Sequence, residues 1–237
     1  MSTRQLDRTI LADSNRTGDL PRLSSWFGLA FAVLQLSVMV VMTVVVLPHG
    51  GNMDDPALDR GRHVQDAAGL YRAGNYAFIA AGSLLLGFLG VVGSRLRRAD
   101  PTGVLATVAT GAGVLLALIW PLGGVLHDVA LEVGGTGADL RILAGWDAAA
   151  PFTLAFSAFA RAFFLGALVL GLRAGDSSPW LRRTGLVLIV LALVGSGTLV
   201  TGALFPVLAV STLGYEIWVG VLAWTWLRTP AATPHIR

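Results

Sequence analysis

The chain has 237 residues, of which 54% are hydrophobic and only 13% charged, with a mean hydropathy of +0.70; a soluble domain carries about a quarter charged residues, so this composition excludes one. Cysteine is absent, which rules out disulfides, thiolate metal sites, iron–sulfur clusters and cysteine nucleophiles. All 17 basic residues are Arg, which rules out a lysine Schiff base, and the net charge of +3 comes from groups beside apolar runs, where the partner is anionic lipid rather than nucleic acid.

The fold class is therefore all-α, a polytopic membrane protein. Residues 1–24 are polar and include Arg4, Arg8, Arg16 and Arg22; they read as a cytoplasmic segment on the membrane surface or free in water. A helix needs about 20 apolar residues to cross a bilayer. Six stretches qualify, near 25–47, 75–93, 103–126, 151–172, 185–204 and 208–227. They predict a single six-helix transmembrane domain over 25–228, with outer loops at 48–74 and 127–150 and a cytoplasmic tail at 229–237. The first stretch is too long for a signal-peptide core and lacks a small-x-small cleavage pattern.

In the first outer loop, Asp55 and Pro56 predict a helix start, with Asp55 as N-cap and a short helix to Ala68. In the third loop, ADLRILAGW predicts a segment lying in the interface. These loops hold Asp54, Asp55, Asp59, Asp66, Asp128, Glu132, Asp139 and Asp147, which reads as a solvated acidic surface or as a vestibule that attracts cations. Small residues spaced four apart, Ser83 with Gly87 and Gly103 with Thr107 and Gly111, predict close helix contacts. Pro121 predicts a kink in the third span, and FPV at 205–207 a tight turn between the last two. No duplication relates the first three spans to the last three, which speaks against an inverted-repeat transporter.

Arginine orients the bundle. Residues 4, 8, 16, 22, 95, 97, 98, 173, 182, 183, 228 and 237 fall on one side, against Arg60, Arg62, Arg72 and Arg141 on the other. By the positive-inside rule both termini are cytoplasmic, N-in and C-in, and the expected location is the cell's inner (cytoplasmic) membrane. The remaining Arg161 belongs to no loop.

Arg161 and Glu216 are the ionisable residues in the middle of the apolar stretches. Glu216 lies twelve residues before Arg228, about 18 Å along a helix and close to the centre of a ~30 Å core. Arg161 sits at the same depth. A lone charge there costs at least about 2.5–3.5 kcal/mol, so the two are expected to face one another as a direct or water-bridged pair. Such a pair either fixes which helix faces meet or marks a polar site. The candidate ligand-binding residues are Arg161, Glu216, Tyr215, Gln35, Ser157 and Thr201, with Ser37, Thr43 and Thr198 within reach of the same region.

The run PWLRRTGLVLIV at 179–190, followed by a glycine-bearing span, a short FP turn and YEIWVGVLAWTWLR, resembles the uncharacterised bacterial six-span membrane proteins grouped as domain of unknown function 4386. The resemblance covers about 179–228. It implies a six-span bundle and the placing of Glu216 in the last span, and it supplies no activity.

The function expected is binding or passage of a small lipophilic ligand at a mid-membrane polar site. The alternatives are a membrane-embedded acid-base enzyme, such as an isomerase or cyclase, acting on an apolar substrate through Glu216 and Arg161, and a purely structural ion pair. Neither Walker loop, Rossmann fingerprint, GxSxG nor HExxH is present. His127, Asp128 and Glu132 cluster at one end of the third span with His49 and His63 on the same side, which leaves a metal site open there, although HDxxxE is no ligand signature. No metal and no cofactor are expected, a channel has no filter-like loop, the expected partners are membrane lipids and that ligand, and the oligomeric state is not set by the sequence.

Overall fold

A computed structural model describes residues 3–46, 55–135, 139–172 and 179–228, with 3–18 as backbone only; His49, Asp54, Arg173 and the tail 229–237 lie outside them. The described residues form α1 (Thr3–Val41), α2 (Ala57–Asp66), α3 (Ala68–Ala99), α4 (Val104–Gly135), α5 (Leu140–Gly171), α6 (Pro179–Gly195) and α7 (Phe205–Arg228). No strand occurs among them. Six helical stretches are long and apolar enough to cross a membrane, at Asp19–Val45, Ala68–Ala99, Val104–Gly134, Leu140–Gly171, Pro179–Leu199 and Gly202–Arg228. The chain is an all-α, multi-pass bundle. Each spanning helix packs on its chain neighbour, and α1 closes the ring by packing on both α3 and α7. The most buried of the six is α5, which also touches α3 and α7 across the interior.

Lipid tails are as apolar as leucine, so burial from water cannot drive these helices together once inserted; close packing does. The α1–α3 crossing shows how. A Cβ on Gly28 would stand 2.4 Å from the Phe88 ring, and a Cβ on Gly87 would stand 2.4 Å from the Phe27 ring. Each glycine thus leaves room for the other helix's phenylalanine. Ser24 Oγ completes the contact by donating to Gly87 O at 2.6 Å and accepting from Val91 N at 2.9 Å.

The Gly103–Thr107–Gly111 face does not make the contact expected of it. Thr107 is exposed, and a Cβ on Gly111 would meet nothing within 4 Å. Gly103 serves the backbone instead, with a φ of +76° that side-chain-bearing residues rarely adopt. It ends a turn held by Asp100, whose carboxylate accepts from Thr102 N and Leu105 N, both at 3.0 Å. Those backbone donors, Leu105 foremost, hold the Asp100 carboxyl below the usual carboxylate range.

Helices run on where the apolar stretches stop. Residues 3–24 continue directly into the first span as α1, through Pro21. The loop at 127–150 is mostly the ends of α4 and α5. ADLRILAGW is accordingly not a separate interfacial segment: Asp139 caps it by accepting from Arg141 N at 2.9 Å, and it leads straight into the fourth span. In the first loop α2 forms as expected, but Pro56 takes the capping position with no side-chain hydrogen bond. The turn before α7 also moves. Residues 196–199 and 202–204 are short 3-10 helices, and Phe205 and Pro206 begin α7, because proline needs no N–H partner in a first helical turn.

At the Arg-rich end, Arg95 lies over the Trp226 ring at 4.7 Å and Arg228 over Trp224 at 4.4 Å, the cation–aromatic pairing of a membrane–water boundary. At the opposite end every outer arginine is matched. The pairs are Arg60–Asp147 at 2.5 Å, Arg62–Asp59 at 3.3 Å, Arg72–Glu132 at 2.9 Å and Arg141–Asp139 at 3.9 Å. Among the described residues these four acids thus form part of a salt-bridged cap.

Candidate functional site

The middle of the bundle holds a polar cluster drawn from α1, α5 and α7. The two faces of α5 differ: Phe156 and Phe163 point to lipid at 62% and 64% exposure, whereas Ser157 and Arg161 are buried at 0% and 1%. Glu216, Tyr215 and Thr212 lie on the buried face of α7, and Gln35 on that of α1.

Arg161 spends its fork on neutral oxygens. One terminal nitrogen donates to Thr212 Oγ1 and the other to the Leu154 carbonyl at 3.3 Å. Thr212 can accept because its own hydrogen goes to Leu208 O at 2.8 Å. Ser157 donates to the same Leu154 carbonyl at 2.7 Å, so one α5 carbonyl anchors both side chains. Glu216 takes its side-chain hydrogen bond from Gln35.

The expected direct pair is therefore not made. The ion pairs among the described residues are the four at the outer cap, and none joins Arg161 to Glu216 within 4.0 Å. The two groups still act on each other electrostatically, and both also act on Tyr215. The reason is local: Thr212 stands one helical turn before Glu216 on the same face and meets the guanidinium first. That i, i+4 spacing was the signal available in the sequence for Thr212, the one side chain of the cluster not foreseen there.

Three polar atoms of the cluster are left buried without a partner: Arg161 Nε, Tyr215 Oη and Glu216 Oε2. The Tyr215 ring meets Phe164 edge-on, with centroids 6.1 Å apart, which holds the phenol within the cluster. Arg161, Glu216, Tyr215, Gln35 and Ser157 are all buried in the interior. Thr201 is not one of them: it is exposed and caps the 3-10 turn by accepting from Ala203 N at 3.4 Å, because α6 has already ended at Gly195. Ser37 and Thr43 bond back to their own helix on the exposed side, and Thr198 bonds to Gly195 O.

At the outer cap, His127, Asp128 and Glu132 do not converge on a common point, and no group of three or more potential metal ligands occurs among the described residues. Asp128 receives Asn75, Glu132 receives Arg72, and Asp147 receives Arg60 and Tyr71.

No protein-family model, curated protein or solved structure matches the chain.

Proposed function

We propose that this protein binds a small lipophilic ligand at the Arg161–Tyr215–Glu216 cluster, halfway across the bilayer. The observation that carries the reading is the set of three buried, unpartnered polar atoms in one interior cluster. Each buried polar atom left without a partner costs about 1–3 kcal/mol, and three in one electrostatically coupled cluster describe the complement of a polar head. Arg161 Nε–H asks for an acceptor, the Glu216 carboxyl for a hydrogen-bond partner, and the Tyr215 hydroxyl serves either role. A hydroxyl or carboxylic acid on an apolar body meets those demands.

Protein purified from membranes in mild detergent and weighed intact tests this. Wild type is expected to retain a lipophile that Tyr215→Phe loses about fivefold to tenfold, the effect of one hydrogen bond of about 1–1.4 kcal/mol. Arg161→Gln should lose it further. Equal retention by folded wild type and Y215F would overturn the reading and leave the cluster a structural one. A retained molecule that is chemically altered only when Glu216 is intact would move the reading to the acid-base enzyme.

We also propose that the Arg-rich end is cytoplasmic, in the inner membrane, with both termini there, and that the chain is of the domain of unknown function 4386 type. The twelve-to-four arginine division supports the orientation. Single cysteines report it without background, since the chain has none. A cysteine at exposed Gln65 should react with an impermeant reagent in intact cells and one at Pro101 should not; the reverse would invert the topology.

A further inference from the structure

The outer ends of α3 and α4 are joined by a short hydrogen-bond relay whose polarity is set from one end. Asp128 Oδ1 can only accept, so Asn75 must turn its NH2 toward it, and Nδ2 lies 2.8 Å away. The same Nδ2 lies 3.2 Å from His127 Nδ1. An amide nitrogen only donates, so Nδ1 must be the accepting nitrogen. His127 is thereby assigned as the neutral tautomer that carries its hydrogen on Nε2. That Nε2 is buried without a partner in a side chain only 8% exposed. The ring is held against Tyr71, with centroids 4.9 Å apart.

We propose that His127 is a proton-binding site that latches α3 to α4 when neutral and releases the latch when protonated. A proton on Nδ1 turns the acceptor into a donor, and two donors then face each other across 3.2 Å. Asn75 has no rotamer that resolves this. If its amide stays, the bond to His127 is lost; if it flips to offer Oδ1, that oxygen also faces Asp128, and the bond to Asp128 is lost. One of the two bonds breaks in either case. The break falls where the helices pass closely, since the Asn75 backbone comes within 3.3 Å of where a Cβ on Gly124 would stand.

The groups around the ring are few. From α3 come Tyr71 and Asn75, from α4 Asp128, from α5 Asp147, and from α2 Arg60 acting through Asp147. Asp147 and Asp128 are the anions that a protonated ring would face. Asp147 has its oxygens engaged by Arg60 Nε and Tyr71 Oη, and Arg72 is engaged by Glu132. The only partner of the imidazole that must move on protonation is therefore Asn75. The same relay turns His127 away from metal binding: a neutral Nε2 free of hydrogen would require the hydrogen on Nδ1, where Asn75 already donates.

The test is nitrogen NMR of the full chain in lipid nanodiscs, labelled at His and Asn. A variant with His49, His63 and His235 changed to Gln leaves His127 as the sole ring signal, so no substitution enters the relay. At pH 8 the ring should show a hydrogen on Nε2 and none on Nδ1. As pH falls toward 4.5 both nitrogens should become protonated, and the Asn75 NH2 signals should shift with the same midpoint. Asn75→Leu should let the neutral ring populate both tautomers. A hydrogen on Nδ1 at pH 8, a ring that does not titrate over this range, or Asn75 signals that stay fixed while the ring titrates would each overturn the proposal.

Discussion

Arg60→Met or Asp147→Leu alone is expected to destabilise the protein by about 3–5 kcal/mol, and the two together by much less. The pair is buried on both sides, at 6% and 8% side-chain exposure, with Arg60 Nε 2.5 Å from Asp147 Oδ2. Removing one member strands a charge in a closed site, whereas removing both leaves an apolar contact. The double variant still orphans the Tyr71 hydroxyl, which donates to Asp147 Oδ1 at 3.1 Å. Adding Tyr71→Phe should therefore recover about 1 kcal/mol more. Denaturant unfolding in mixed micelles reads all four proteins. Single losses that sum to the double loss would show that the pair contributes no coupling. The physical stake is the docking of α2, a ten-residue helix that packs on α5 beside this pair.

In the bundle interior, Glu216→Leu should cost about 3–5 kcal/mol, and Arg161→Met about half that. The asymmetry follows from chemistry. Without Arg161 the remaining carboxyl can be neutralised by a proton, and the oxygens that held the guanidinium keep their local bonds: Thr212 to Leu208 O, and Leu154 O from Ser157. Without Glu216 the guanidinium cannot discharge and keeps only neutral oxygens around it. Thr212→Val should cost about as much as Arg161→Met, about 1.5–3 kcal/mol, the usual value of a hydrogen bond to a charged group. Equal costs for E216L and R161M would show that the carboxyl does not compensate the cation across the gap between them.

The salt-bridged cap and the interior cluster solve the same problem differently. At the cap, arginines meet carboxylates directly, in pairs that span α2 to α5 and α3 to α4. In the interior, Arg161 meets a hydroxyl and a carbonyl, Glu216 meets an amide, and three polar atoms remain open. The cap leaves one such atom open, His127 Nε2, and the interior cluster three; the proposed ligand site rests on those three.

The sequence by itself determined the class, the number of helices long and apolar enough to span, and the place of two charges within them. Those follow from hydropathy and from counting residues along a helix, which need no knowledge of neighbours. It also placed Arg161, Glu216, Tyr215, Gln35 and Ser157 in one region, because polar residues in an apolar run are driven to the interior. Tertiary structure alone decided who pairs with whom. Arg161 takes Thr212 because a turn of α7 sets that hydroxyl ahead of the carboxyl, and Thr201 drops out because the α6 helix ends at Gly195. Asp147 and Arg60, 87 residues apart, read as two solvated loop residues until α2 folds onto α5. Glycine shows the same limit: Gly111, in the series Gly103–Thr107–Gly111, faces nothing, whereas Gly28, in the equally spaced series Ser24–Gly28–Ala32, receives Phe88. Spacing along one helix fixes which residues share a face, but only the rotation of that helix against its neighbours fixes what the face meets.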